Sequence, residues 1–301
     1  MTAAQGSPSR AATVAVIVPT VGRASTVRKL VGRLAQQSRR PERVLVIGAA
    51  ADDIAGLEDV PAGVEVHLGP RGSCSQRNRG LDLLGGRADF VAFFDDDFIP
   101  SHDYFAKAEQ LFSDHADVVG ANGRVIADGD RGPGISFDEA ESLLAAHTRP
   151  NRPARIWPRE ALYGCNMVFR GAAIGDLRFD EALPLYGWQE DIDFSYRVGR
   201  GGRLVRCPLL FGVHMAEKTG RTSGRRFGYS QIANPIYLMR KATIPREDAM
   251  RLMRNNVMSN FWRSLNPEPY IDRRGRLSGN LMAMRDWLTG RIDPRNILQM
   301  K

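Results

Sequence analysis

The chain is poor in cysteine, has no long apolar run, and over most of its length favours neither sign of charge. Its only cysteines, Cys74, Cys165 and Cys207, lie far apart and match neither zinc-ligand nor redox-pair spacing. That argues against a disulfide scaffold or a zinc finger, and so sparse and odd a set suits a reducing cytoplasm. No apolar stretch approaches the ~20 residues that span a bilayer. Residues 1–12 are rich in Ser, Ala and Thr but lack the apolar segment of a secretory signal, and read as a loose tail. Internal repeats and low-complexity tracts are missing too. What is present is ordinary globular material: 301 residues, 43% apolar, enough for one large α/β domain with an appendage or for two modest domains.

Charge is uneven along the chain. Residues 221–301 hold sixteen Lys/Arg against six Asp/Glu, while the remainder holds 26 against 28. The excess of +8 therefore resides in the C-terminal quarter and implies an anionic partner there: a membrane surface, a lipid-linked phosphate or nucleic acid. No recognised nucleic-acid motif accompanies it, which sets that partner aside.

Local patterns alternate. Val14–Val18 reads as a strand closed by Pro19-Thr20, and Ala24–Gln37 as a helix with Val27, Leu30, Val31 and Leu34 on one face. Strands are expected at Arg43–Ile47, Val64–Leu68 and Asp89–Phe94, with a helix at Cys74–Leu84 ending in Gly85-Gly86. Such alternation predicts a largely parallel sheet with right-handed crossovers. Asp128–Glu160 breaks the rhythm with Gly- and Pro-rich runs around one helical patch near Asp138–Ala146, as a mobile loop over a site would. Beyond it, Leu162–Arg170 is strand-like, Glu190–Val198 helical, and Leu204–Cys207 and Leu209–His214 are short strands. From about Arg225 the pattern is helical and basic, with stripes of Met, Phe and Trp over Glu247–Leu265 and Leu281–Leu288.

The most informative stretch is Phe-Val-Ala-Phe-Phe-Asp-Asp-Asp-Phe at 90–98. A run apolar enough for a buried strand ends in three carboxylates, which repel one another unless a cation sits among them. A hard divalent ion that also holds phosphate oxygens resolves this, and strand ends of open α/β sheets are where ligands bind. A second acidic cluster, Gln189-Glu190-Asp191-Ile192-Asp193, opens a helix, where the macrodipole also favours acid for purely structural reasons. His214 ends a strand; an imidazole beside carboxylates suits a transition metal such as manganese.

Five separated motifs in this order resemble the family 2 glycosyltransferases over roughly residues 13–220. They are Val-Pro-Thr-Val-Gly-Arg (18–23), Gln-Arg-Asn-Arg-Gly-Leu (76–81), Phe-Phe-Asp-Asp-Asp (93–97), Tyr-Gly-Cys-Asn-Met-Val-Phe-Arg (163–170) and Gln-Glu-Asp-Ile-Asp-Phe-Ser-Tyr-Arg (189–197). The resemblance implies a GT-A fold: a Rossmann-like, mostly parallel central sheet flanked by helices, with a nucleotide half at about 13–127 and an acceptor half at about 128–220. Residues 221–301 would add a helical basic extension.

The resemblance also implies roles. Mn²⁺ or Mg²⁺ would be held by Asp97 with His214. Pro19, Thr20, Arg23, Arg77 and Asn78 would line the nucleotide pocket, with Asp95 near the ribose and Asp96 near the donor sugar or metal. Asp191 would be the general base and Glu190 its orienting partner, while Gly164, Asn166 and Trp188 would lie on the acceptor side. The implied reaction moves a sugar, with inversion, from a nucleoside diphosphate to an acceptor hydroxyl. The family's acidic run after the second strand is replaced here by Val-Ile-Gly-Ala-Ala-Ala-Asp-Asp (46–53), so a UDP-sugar is the default donor with GDP- and dTDP-sugars open. Asp52 or Asp53 could supply the missing carboxylate only if the loop folds back.

The acceptor would be a saccharide or lipid-linked saccharide used for surface polysaccharide or glycolipid. The C-terminal stripes would either pack as core or touch the inner membrane face, giving a cytoplasmic, peripherally bound enzyme. Rival readings are a retaining GT-A transferase, a sugar nucleotidyltransferase, or a non-catalytic sugar-nucleotide-binding module.

Overall fold

The computed structural model describes residues 12–148, 155–219 and 222–300. The N-terminal tail expected at 1–12 lies almost wholly outside these, as does the Pro-rich part of the 128–160 segment. Four strands, β1 (Val14–Thr20), β2 (Arg43–Gly48), β3 (Val64–Leu68) and β4 (Phe90–Phe94), form a parallel block in the order β3-β2-β1-β4. Each is a β-branched or aromatic run, and β1 and β4 are buried along their whole length. Helices α1 (Ala24–Ala35) and α2 (Ser73–Leu84) cover the block, and α1 buries Val27, Leu30, Val31 and Leu34. A side chain at Gly80 of α2 would collide with Ile17 of β1 at 2.6 Å, so this glycine sets how closely helix and sheet approach.

Beyond β4 the sheet is mixed rather than parallel. It continues β8-β6-β9-β5, where β5 is Phe98–Pro100, β6 Val118–Asp128, β8 Asn166–Arg170 and β9 Arg203–His214, and the short β7 (Trp157–Arg159) pairs with β9. Only β6 and β9 run parallel in this half; β8 is antiparallel to both neighbours. The two short strands expected at 204–214 are one strand. Its register with β6 shifts three times, which lets it continue past Pro208. Helix α3 (Tyr104–Asp114) was not foreseen. The 128–160 segment is not all loop: α4 (Phe137–Ala146) is capped by Ser136, whose hydroxyl accepts from the Glu139 N–H at 3.2 Å, and it packs Ala140 and Leu144 against Phe211 and Val213 of β9.

Past the one-turn α5 (Gly171–Ile174) and α6 (Glu190–Val198), the chain ends in α7 (Gly224–Arg240), α8 (Arg246–Leu265) and α9 (Arg273–Leu288). These share a core of Tyr229, Ile232, Ala233, Ile236, Met253 and Ala283. A buried amide network sets their register: Asn260 donates to Gln231 at 2.7 Å and to Asn280 at 2.9 Å, and Asn280 donates to the Gly228 carbonyl at 2.7 Å. Asp193 of α6, fully buried, accepts from Thr243 at 2.9 Å and pairs with Lys241 and Arg197, which ties this helical unit to α6.

Contact between α7 and α9 depends on one glycine from each helix, Gly228 and Gly279. A Cβ at Gly228 would lie 2.0 Å from the Arg276 carbonyl oxygen, and one at Gly279 would lie 2.1 Å from that of Arg225. Since the obstacle is backbone, no side chain can move aside. Gly279→Leu is expected to destabilise the chain by about 3 kcal/mol in urea unfolding, the upper end for an overpacked contact; a shift under about 0.5 kcal/mol would show that the helices can separate freely.

Candidate active site

The Asp-Asp-Asp run occupies the turn where β4 leaves the sheet. The Asp95 N–H donates to the Cys165 carbonyl at 3.2 Å and the Phe98 N–H to that of Asp95 at 3.1 Å, so the chain reverses within three residues into β5. Antiparallel pairing of β5 with β9 then sets Phe98 opposite His214, and the β6–β9 ladder sets Asp128 opposite the same histidine. Residues remote in sequence thereby meet: Asp95, Asp97 and His214 each present a ligand atom within 4.8 Å of the others.

This trio fits a divalent cation on a further ground. Asp97 Oδ1 is buried without a hydrogen-bond partner, whereas Oδ2 is satisfied by the Glu217 N–H at 2.9 Å and by Arg23 at 3.0 Å. A buried carboxylate oxygen with no hydrogen-bond partner, facing an imidazole at 3.4 Å, is a donor pair suited to a divalent cation. His214 Nδ1 lies 2.9 Å from Asp128 Oδ1, the outer partner that orients a ligating histidine. Burial pushes the His214 pKa down, but Asp128 and Asp97 outweigh it and hold it at about 10. Burial pushes the Asp97 carboxyl up, but His214 and Arg23 outweigh that and bring it to about 2.

The three aspartates differ in their company. Asp96 turns toward β1, accepting from Thr20 Oγ1 at 2.7 Å and from Arg23 at 2.8 Å; its desolvation raises the carboxyl above the usual range. Asp95, expected at the ribose, falls in the cation trio and also pairs with Arg77 at 2.9 Å. Arg23, expected at the nucleotide, bridges Asp96 and Asp97 and donates to the Glu217 and Thr219 carbonyls, both at 2.9 Å. It staples the segment after β9 onto the aspartates. Arg77, 1% exposed, lies between Asp95 and Glu190, which it meets at 2.6 Å. One guanidinium thus links the two acidic clusters.

The second cluster opens α6. Asp191 accepts the Gly164 N–H at 2.9 Å and its neighbour's N–H, from Ile192, at 2.8 Å. A side chain at Gly164 would sit 3.2 Å from that carboxylate, so glycine there lets backbone touch it. Burial raises the Asp191 carboxyl; burial and the adjacent Asp191 charge raise Glu190 against the pull of Arg77.

All the sequence-predicted site residues except Asn78 and Asn166 line one cavity of about 480 Å³. Asn78 turns away: its amide clasps Phe179, donating to the carbonyl at 3.0 Å and accepting from the N–H at 2.8 Å. Asn166 is fully buried in β8, opposite Phe94, behind the site. Asp53 does fold back, but its carboxylate is consumed by the N–H groups of Gly22, Ala49 and Ala50 at 2.6, 2.9 and 2.9 Å.

Sequence reasoning missed Asp128 and Glu217, which carry no local signal, and Gln76, whose amide joins the Thr20 and Ile47 carbonyls at 2.9 and 2.6 Å. It also missed Tyr163, although the residue stands inside a quoted motif, and Arg226, Phe227 and Arg276, which bring α7 and α9 into the cavity wall.

Comparison with known proteins places the fold. Solved structures with similar folds include TarS of S. aureus, at 17% identity and TM-score 0.51, covering 85% of this chain and 44% of that one. TarS residues 1–349 in complex with UDP-GlcNAc give 16% identity and TM-score 0.55, covering 95% and 82%. The mannosyltransferase PcManGT of Pyrobaculum calidifontis, in complex with GDP-Man and Mn²⁺, gives 15% identity and TM-score 0.55, covering 97% and 86%. No curated protein sequence matches the chain. The profile described as glycosyl transferase family 2 matches residues 15–173, which contain β1, the aspartate run and β8; the chain belongs to that family.

Proposed function

We propose that this transferase is inverting and cation-dependent, moving a sugar from a nucleoside diphosphate to an acceptor hydroxyl with Asp191 as general base. The observation carrying this reading is that a cation-ready trio and a backbone-pinned carboxylate of raised pKa share one cavity. Asp95, Asp97 and His214 would hold Mn²⁺ or Mg²⁺, which when bound would neutralise charge growing on the leaving diphosphate. Asp191 would take the acceptor proton on its carboxylate, while the Gly164 and Ile192 N–H groups, one on each oxygen, fix the carboxylate plane. Glu190, bound to Arg77, would orient rather than accept that proton. The bound nucleotides of TarS and PcManGT support a UDP- or GDP-sugar donor; UDP remains the first choice.

A thermal-shift screen of UDP, GDP, dTDP and CDP with and without Mn²⁺ tests the reading. Stabilisation by one of them, dependent on Mn²⁺, is expected, about 2.7 kcal/mol at a hundredfold excess over Kd. Silence from folded protein with all four would favour a module without a donor site.

One observation favours contact with a membrane surface as well. No helix among the described residues is long and apolar enough to cross a bilayer. On α8, however, Met258, Phe261, Trp262 and Leu265 recur at helical spacing and are 45–70% exposed, beside exposed Arg254 and Arg263. A lipid-linked acceptor for surface polysaccharide or glycolipid would be met at such a face. The protein is expected to sediment with vesicles containing phosphatidylserine, and Phe261→Ser with Trp262→Ser to release it; equal sedimentation with neutral vesicles would remove the electrostatic part of this reading.

A further inference from the structure

The wall that the C-terminal helices add to the cavity has its own chemistry. Its charged side chains, Arg226 and Arg276, are both cations, whereas the acids of the cavity come from the catalytic sheet, its loops and α6. Phe227 stands at its centre, with Tyr186 at 5.7 Å and Trp188 at 5.8 Å between ring centroids, and the Arg276 guanidinium 4.4 Å over the Phe227 ring. Tyr186 is 56% exposed, so aromatic surface is left bare inside a concave site.

Gln189 supplies an independent pointer. It lines the cavity, is 4% exposed, and neither Nε2 nor Oε1 has a hydrogen-bond partner. Leaving both ends of a buried amide unpaired is costly, and its backbone is held in the left-handed region at φ 76° immediately before Glu190. An amide with two N–H donors and an acceptor oxygen left unpaired, beside a bare aromatic face, matches the hydroxyls and the C–H face of a sugar ring. The Arg276 guanidinium adds an anion to that description, Arg226 being engaged with the Met300 carbonyl.

We propose that Gln189, Tyr186, Trp188, Phe227 and Arg276 form an acceptor subsite for a saccharide that carries an anionic group, a phosphate or a carboxylate. This rests on the transferase reading: the subsite places such a saccharide next to Asp191. The asymmetry of the cavity follows, with the cation trio meeting the donor diphosphate and the arginine wall meeting the charge of the acceptor.

The test uses the full chain with UDP and Mn²⁺ present, so that the donor half is filled. Glucose, glucose 1-phosphate, glucuronic acid and inorganic phosphate are titrated by saturation-transfer NMR or calorimetry. Glucose 1-phosphate, glucuronic acid or both are expected to bind at least about tenfold more tightly than glucose and than phosphate alone. Preference for phosphate over carboxylate, or the reverse, identifies the anion. Arg276→Gln should abolish the preference for charge while Arg276→Lys keeps part of it, and Phe227→Leu should weaken every saccharide; circular dichroism reports whether each variant folds. Equal binding of glucose and the charged sugars to the unaltered chain would overturn the anionic part. Phosphate binding as tightly as glucose 1-phosphate would overturn the saccharide part, and no binding by any probe while UDP and Mn²⁺ still bind would overturn the subsite and leave the transferase reading standing. Failure of UDP and Mn²⁺ themselves would instead count against that reading.

Discussion

Asp191→Asn is expected to lower sugar transfer by about 10²–10⁴-fold, the usual contribution of a positioned general base, while nucleotide binding is kept. The substitution preserves volume and one oxygen, so it keeps an acceptor for one of the two N–H groups, Gly164 at 2.9 Å on Oδ2 or Ile192 at 2.8 Å on Oδ1, and loses the other bond. What disappears is the capacity to take a proton. The pH profile provides a second readout with a definite sign. A base works only when ionised, and burial raises the Asp191 carboxyl; the acid limb of kcat/KM should therefore have its midpoint above the ordinary carboxylate range, with the rate falling as pH falls through it. Residual turnover of the Asn variant should lack that limb. Turnover within a few-fold of the unaltered enzyme would assign the base elsewhere, and Glu190 would be the next residue to test.

Asp97→Asn should weaken Mn²⁺ binding by more than about 100-fold, beyond the 10–100-fold typical of losing an outer partner of a metal ligand. Asp97 is the most deeply buried of the trio, 2% exposed, and its buried Oδ1 has no hydrogen-bond partner, with only the His214 imidazole facing it at 3.4 Å. A readout without metal separates this from general damage. His214 owes its pKa of about 10 to Asp128 and Asp97 working against burial. Removing one of the two should bring the imidazole pKa down, visible in its NMR titration, with Asp128 still holding part of the shift. The same pairing makes metal and proton competitors: below that pKa, Mn²⁺ affinity should rise about tenfold per pH unit as one proton is released per ion bound. An Asn variant with unchanged Mn²⁺ affinity would take Asp97 out of the cation site.

Much of this was legible from local pattern, because local pattern reflects burial. The β4 run 90–94, the α1 face of Val27, Leu30, Val31 and Leu34, and the acidic start of α6 all appear where periodicity placed them. Motif order was enough to identify the family, since separated short motifs in a set sequence are improbable by chance. The sequence by itself thus determined the parallel half of the sheet, the aspartate turn, the carboxylate at the α6 start and the basic C-terminal quarter.

Tertiary structure decided which partners those groups keep. Arg23 and Asn78 belong to motifs that read as nucleotide-binding, yet one staples Asp96 to Asp97 and the other clasps Phe179. Asp128 reaches His214 only through the register of β6 on β9, and Phe98 faces it only through β5. The C-terminal helices showed as amphipathic stripes, but their entry into the cavity depends on the glycine contact of α7 with α9. The physical reason is common to all of these. Periodicity records whether a side chain is buried, while hydrogen-bond partners across 70 or more residues are set by strand register and helix approach, which no local window contains.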